Sequence, residues 1–130
     1  MKIVQTSDIH GNYYPHDFIL QKDAAGSLAR VYAFVQKERE TYKDNLILLD
    51  NGDILQGQPT AYYYNYIDTV SPHLTAEMLN YMGYDAGNMG NHDVETGRAV
   101  FDRWAAIATP LCWEPTSLIR LRVRIISRPT

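Results

Sequence analysis

The chain is poor in cysteine, in net charge and in long apolar runs, and each shortage removes a class of function. A single cysteine, Cys112, among 130 residues excludes an internal disulfide framework and a cysteine-built zinc site. A formal net charge of −3 has the wrong sign for a nucleic-acid surface. No apolar stretch approaches the about 20 residues of a membrane-spanning helix. From Gln5 onward, polar and charged residues interrupt what would have to be the core of a signal peptide. The remainder is the composition of one water-soluble domain, long enough to bury a core, without internal repeats or low-complexity linkers.

Charge is also unevenly spread. Residues 1–104 hold 14 of the 15 acidic residues, 8 of the 12 basic ones and all 8 glycines, a net charge of −6. Residues 105–130 hold Glu114 against four arginines, and contain no Gly, Asp, Asn or Lys. A domain over 1–104 followed by an atypical tail is the division this implies.

Hydrophobic periodicity supplies the elements. "KIVQTS" (2–7) is a short β-prone run that stops at Asp8 and Gly11. Ser27 opens a segment with Leu28, Val31, Tyr32, Phe34 and Val35 at helical spacing, ending near Lys43. "NLILLD" (45–50) is a continuous apolar run of strand length, as expected of a strand covered on both faces. Leu74, Met78, Leu79 and Met82 mark a second helix, which Gly83 ends as a C-cap. "YDAGNM" (84–89) is a short strand, and a third helix runs from Glu95 to Trp104. The alternation predicts an α/β fold with a parallel sheet, and polar loops recur at the carboxyl ends of its strands, where open α/β sheets place ligands.

Three of those loops carry metal-binding chemistry. "SDIHGN" sets Asp8 and His10 two apart, a spacing that in extended backbone points both side chains one way, so that both reach one cation. "NGDILQG" places Asp53 just past the apolar strand. "GNHD" joins Asn91, His92 and Asp93. Taken singly, each also reads as an ordinary polar turn; their recurrence at three equivalent strand ends favours a site. Oxygen and nitrogen donors without thiolates suit Mn, Fe, Zn or similar divalent ions, and a carboxylate shared between two such ions is the usual bridge of a two-metal hydrolytic site.

Asp-x-His, then Gly-Asp, then Gly-Asn-His-Asp resembles the first half of the calcineurin-like metallophosphoesterase pattern. "TSDIHGN", "LLDNGDILQG" and "GNMGNHDVETG" look like its branch of 5′-nucleotidases and 2′,3′-cyclic-nucleotide phosphodiesterases, over about residues 2–104. The resemblance implies the N-terminal part of a metallophosphoesterase β-sandwich flanked by helices. It implies two divalent metal ions, with Asp8 and His10 on the first, Asp53 bridging and Asn91 on the second. His92 would sit over the phosphate and stabilise charge on the leaving oxygen, oriented by Glu95, three residues on. The implied partner is a nucleotide or another small phosphate ester. Gly11, Gly52 and Gly90 would let backbone pass close to the metals.

The family's pattern continues with a further His and then Gly-His-x-His, whereas none of the four histidines here follows His92. His16 and His73 match no family position and read as surface or helix-start residues, and the tyrosines of "AYYYNYID" (61–68) as packing against the sheet rather than stacking on a base. In place of a family-like "PVLGANI" stands "PLCWEPTS" (110–117). One frame away, Cys112–Trp113 forces Leu and Trp113–Glu114 forces Gly, and the neighbouring codons allow the rest. We therefore expect residues from about 105 to be a frameshifted ending, which sequencing of the source DNA tests. The physical alternative is an amphipathic strand over "LIRLRVRII". The expected product is a truncated phosphoric ester hydrolase with weak or no activity alone. The rivals are a non-catalytic metal-binding fragment, and another branch such as a protein phosphatase or nuclease. Localisation stays open, because the nucleotidase branch is usually exported while this chain begins almost at its first motif, as if an upstream segment were missing.

Overall fold

A computed structural model of the chain describes residues 1–108 and the backbone of residues 111–113. Its main sheet is parallel and built from β1 (Lys2–Thr6), β4 (Leu46–Asp50), β5 (Ala86–Asn88) and β6 (Leu111–Trp113), in that spatial order. A two-stranded antiparallel ribbon, β2 (His16–Asp17) and β3 (Lys22–Asp23), stands apart from it. The helices are α1 (Leu28–Tyr42), α2 (Pro59–Tyr62), α3 (Leu74–Met82), α4 (Asn91–Glu95) and α5 (Arg98–Ile107). A 3-10 turn, Lys43–Asn45, follows α1, and a π-helical turn, Tyr63–Ile67, continues α2.

Local chemistry sets the helix ends. The Ser27 hydroxyl accepts the N–H of Arg30 at 3.3 Å and starts α1, as a serine N-cap does. Gly83 adopts a left-handed conformation, φ 68°. Its N–H meets the Asn80 carbonyl while that of Tyr84 meets the Leu79 carbonyl, the double closure that satisfies the last carbonyls of a helix. Sequence reading placed both caps. The third helix, in contrast, is divided. Gly97, at φ 91°, separates α4 from α5, and "GNHD" is the start of α4 rather than an open loop.

The core lies on one face of the sheet. Leu46 and Leu48 of β4 pack with Leu28 and Val35 of α1, Leu79 and Met82 of α3, and Phe101 and Trp104 of α5. The predicted burial of "NLILLD" on both faces does not hold among the described residues. Ile47 and Leu49 are only half-buried and their β1 neighbours Ile3 and Gln5 are exposed. That second face borders an open cleft of about 520 Å³ lined by Gln5, Leu49, Asn51 and Ala86 through Met89. The described residues thus provide one sheet of the expected sandwich with helices on one side.

The tyrosine run does not pack as expected either. Ala61 and Asn65 face inward, whereas Tyr62, Tyr63 and Tyr66 are exposed. His73 does cap a helix, α3, but is fully buried instead of lying on the surface. Helix α5 continues past 104 to Ile107, with Ala105 and Ile107 against the core. The expected frameshifted ending falls mostly outside the described residues.

Candidate metal centre

The three polar loops leave the carboxyl ends of adjacent parallel strands, β1, β4 and β5, so strand order alone brings them together. Backbone hydrogen bonds continue the β1–β4 ladder into the first two. The N–H of Asn51 donates to the Thr6 carbonyl at 2.8 Å, that of Asp8 to Gly52 at 3.1 Å, and that of His10 to Asp53 at 2.8 Å. Asp8, His10 and Asp53 take φ values of 57°, 50° and 58°. Left-handed backbone at a residue with a side chain costs about 1–3 kcal/mol and gathers at functional sites. Here the cross-loop bonds hold it in place.

His10, Asp53 and His92 each bring one donor atom within 4.8 Å of the others. The two imidazole rings lie edge to face with centroids 5.1 Å apart. His10 Nδ1 lies 3.2 Å from the Gln56 carbonyl, and a carbonyl only accepts. Nδ1 therefore carries the proton, leaving the Nε2 lone pair free for a cation. Nε2 is 3.9 Å from the Asp8 carboxylate, whose other oxygen accepts from the Ser7 hydroxyl. Asp8 thus borders the cluster through His10 without joining it. Asn91, exposed at the first position of α4, precedes His92 at its edge. Nitrogen and carboxylate oxygen are donors suited to a borderline divalent cation, so the residues present fit one.

His92 Nδ1 hydrogen-bonds Glu95 at 3.0 Å, and Gln56 Nε2 donates to the same carboxylate oxygen at 3.3 Å. The Glu95 contact raises the His92 pKa above its ordinary value, and contacts with His92 and Gln56 lower that of Glu95.

Beneath this open rim lies a buried polar layer. The Asp93 carboxylate accepts the N–H groups of Asp53, Ile54 and Leu55 at 2.7, 2.9 and 2.7 Å. Asp50 accepts from the Thr6 hydroxyl at 2.7 Å and from the Gly52 N–H at 3.1 Å. Burial pushes its pKa up to about 6 against both bonds. Tyr84, 3.0 Å from Thr6 Oγ1, is pushed up to about 12 by burial. Asn65 donates to the Leu55 carbonyl at 2.6 Å and is held by His73 at 2.9 Å. Sequence reading did not single out Asp50 or Gln56. The available signal for Asp50 was an acid ending an otherwise apolar strand, which has to find donors if buried.

The sequence profile of the calcineurin-like phosphoesterases matches residues 1–118. The chain belongs to that family. The trifunctional nucleotide phosphoesterase protein YfkN of Bacillus subtilis is 37% identical over 109 residues, 78% of this chain and 7% of that one. A 2′,3′-cyclic-nucleotide 2′-phosphodiesterase/3′-nucleotidase of Salmonella typhimurium is 33% identical over 102 residues, 75% of this chain and 15% of its own. The crystal structure of the calcineurin-like phosphoesterase YfkN from Bacillus subtilis superposes with a TM-score of 0.76 at 33% identity. It covers 85% of this chain and 35% of that one. The family is one of hydrolytic phosphoesterases and implies divalent metal ions. This chain spans only a small part of the length of these relatives. Among the described residues no helix is long and apolar enough to cross a membrane.

Proposed function

We propose that this chain carries the first half of a binuclear metal site for nucleotide phosphoester hydrolysis. The observation behind this is the convergence of His10, Asp53 and His92 at one sheet edge. Asp8 and His10 would hold one divalent ion (Mn, Zn, Fe or similar), Asp53 would bridge to a second, and Asn91 would ligate that second ion. When bound, such ions neutralise phosphate oxygens and bring the pKa of a coordinated water toward neutrality. The protein's own work is placement and proton control. Gln56 fixes His10 in the tautomer that offers Nε2. Glu95 accepts a hydrogen bond from His92 Nδ1–H and favours the imidazolium, which leaves Nε2–H to donate to the departing oxygen. Asp53 Oδ1 already accepts the His92 N–H at 2.9 Å, which ties the bridging carboxylate to the proton donor.

Substrate would be a nucleotide or a cyclic nucleotide, the class on which the names of the relatives agree. A second reading follows from the four histidines, none beyond His92: a chain that holds metal without turnover until further ligands are supplied. Assay of a nitrophenyl phosphate ester and a 2′,3′-cyclic nucleotide with Mn, Zn or Co separates the two. The enzymatic reading predicts metal-dependent turnover that falls about 10²–10⁴-fold in His92→Ala and is lost in Asp53→Asn. Metal binding with no turnover under any ion favours the second.

A further inference from the structure

We propose that Asp93 is the positioning residue that sets Asp53 in the metal site, through a reciprocal lock between the second and third loops. The proposal rests on the reading of Asp53 as a cation ligand. Asp93 is 2% exposed, and all four of its close partners are backbone N–H groups. Oδ1 accepts from Ile54 and Leu55, and Oδ2 from Asp53 and, at 3.0 Å, Gly90. Only the Gly90 bond belongs to the ordinary cap of α4. The other three cross 38 to 40 residues of sequence to reach one short turn.

The lock closes in the other direction through Asp53. Its own carboxylate accepts the N–H of His92 at 2.9 Å. Each loop thus presents a carboxylate to the other's backbone, and no side chain separates them. A Cβ on Gly90 would lie 2.1 Å from Asp53 Oδ1, and one on Gly52 would lie 2.3 Å from the Gly90 nitrogen. Three successive N–H groups turn toward the Asp93 carboxylate with Asp53 at φ 58°, and a concave run of this kind binds an anion. Asp93 is that anion. Without it the turn keeps only the backbone bonds from Asp8 and His10, and the Asp53 side chain leaves its place beside His10 and His92.

Asparagine at position 93 keeps the shape but turns an NH₂ toward N–H donors, while glutamate keeps the charge and moves it one methylene into the turn. The test is Mn(II) affinity, read from the electron paramagnetic resonance of free aquo-Mn(II), beside far-ultraviolet circular dichroism and thermal melting. Wild type, Asp93→Asn, Asp93→Glu and Asp53→Asn are compared. The lock predicts folded Asp93 variants whose Kd for Mn(II) rises about 10- to 100-fold, the usual consequence of removing a group that orients a ligand. If Asp93→Asn does not fold, Asp93→Glu decides. Wild-type Mn(II) affinity in a folded Asp93 variant, whatever its melting temperature, overturns the proposal. So does failure of both variants to fold, since the carboxylate then serves the fold alone. Wild-type affinity in Asp53→Asn, or no binding by wild type, instead removes the cation-site reading beneath it.

Discussion

The rim and the floor of the metal centre are built on opposite principles. At the rim, Asp8, Asn91 and Glu95 are exposed, and the side chains of His10 and His92 are about two-fifths exposed. Their contacts are few and open to water. In the floor, Asp50, Asp93, Thr6, Tyr84, Asn65 and His73 are buried, and the bonds described above run to backbone or to one another. Asp8 and the two histidines stay open to water, whereas Asp53 is 8% exposed and shares the burial of the groups that hold the loops, where an unmade bond is costly. Substitutions in the floor should therefore change stability, with Asp93 also changing metal affinity through its hold on Asp53, and substitutions at the rim should change chemistry.

The largest effect is expected where the floor is backbone against backbone. In Gly52→Ala the new Cβ meets the Gly90 nitrogen at 2.3 Å with φ at 97°. We expect a loss above about 4 kcal/mol, a size kept for severe core damage, seen as loss of the cooperative thermal transition. Asn91→Ala at the rim should stay within about 0.5 kcal/mol of wild type. Equal melting of the two variants would erase the distinction.

Next comes a pH effect confined to the floor. Burial raises the Asp50 pKa from 3.8 to about 6, so the folded state binds the extra proton. That contribution is present below pH 3.8 and is lost as pH rises through 6. His73 runs the other way. Burial, with Arg103 nearby, depresses it from 6.5 to about 4, so its contribution is present above 6.5 and is lost as pH falls through 4. Each is worth roughly 3 kcal/mol, and their slopes oppose one another between pH 4 and 6. Asp50→Asn should expose the His73 slope, with the unfolding free energy from denaturant titration climbing by roughly that amount from pH 4 to 6.5. An unchanged profile would contradict the account.

Smallest in stability is Glu95→Gln, since its pair with His92 is open to solvent on both sides and such pairs contribute little. Its signature is kinetic. Without the carboxylate the His92 pKa falls back toward its ordinary value, so the alkaline limb of phosphoesterase turnover should move to lower pH. A stationary limb would separate Glu95 from the proton donor.

Much of the frame was legible in sequence because it rests on local signals. Ser27, Gly83 and the run "NLILLD" mark their elements through capping and burial chemistry that needs no distant partner. The ribbon at 16–23 was not read, since its strands are two residues each and His16, Asp17, Lys22 and Asp23 show no alternation. The exposed tyrosines after Gln58 misled for a related reason. Aromatic content signals burial only when a surface is there to receive it, and the inward positions of that turn belong to Ala61 and Asn65. Motif spacing led to the rim because ligands are chemically distinctive residues. Most of the floor was hidden, as Asp50 depends on Thr6 at the end of a neighbouring strand and His73 on Asn65, a polar residue turned inward among tyrosines. Asp93 stood out in sequence only as a member of "GNHD", and its three bonds to the turn at 53–55 are visible only in the fold.

The central claim is that His10, Asp53 and His92 mark a divalent-cation site. The four histidines allow a direct measurement, titration of the ¹⁵N-labelled protein with Zn(II) while the imidazole nitrogens are followed by NMR. The account predicts a coordination shift at His10 Nε2 that is abolished in Asp53→Asn, with His73 and His16 unmoved. Binding reported at His16 alone, or no ring shift at saturating zinc, would contradict it.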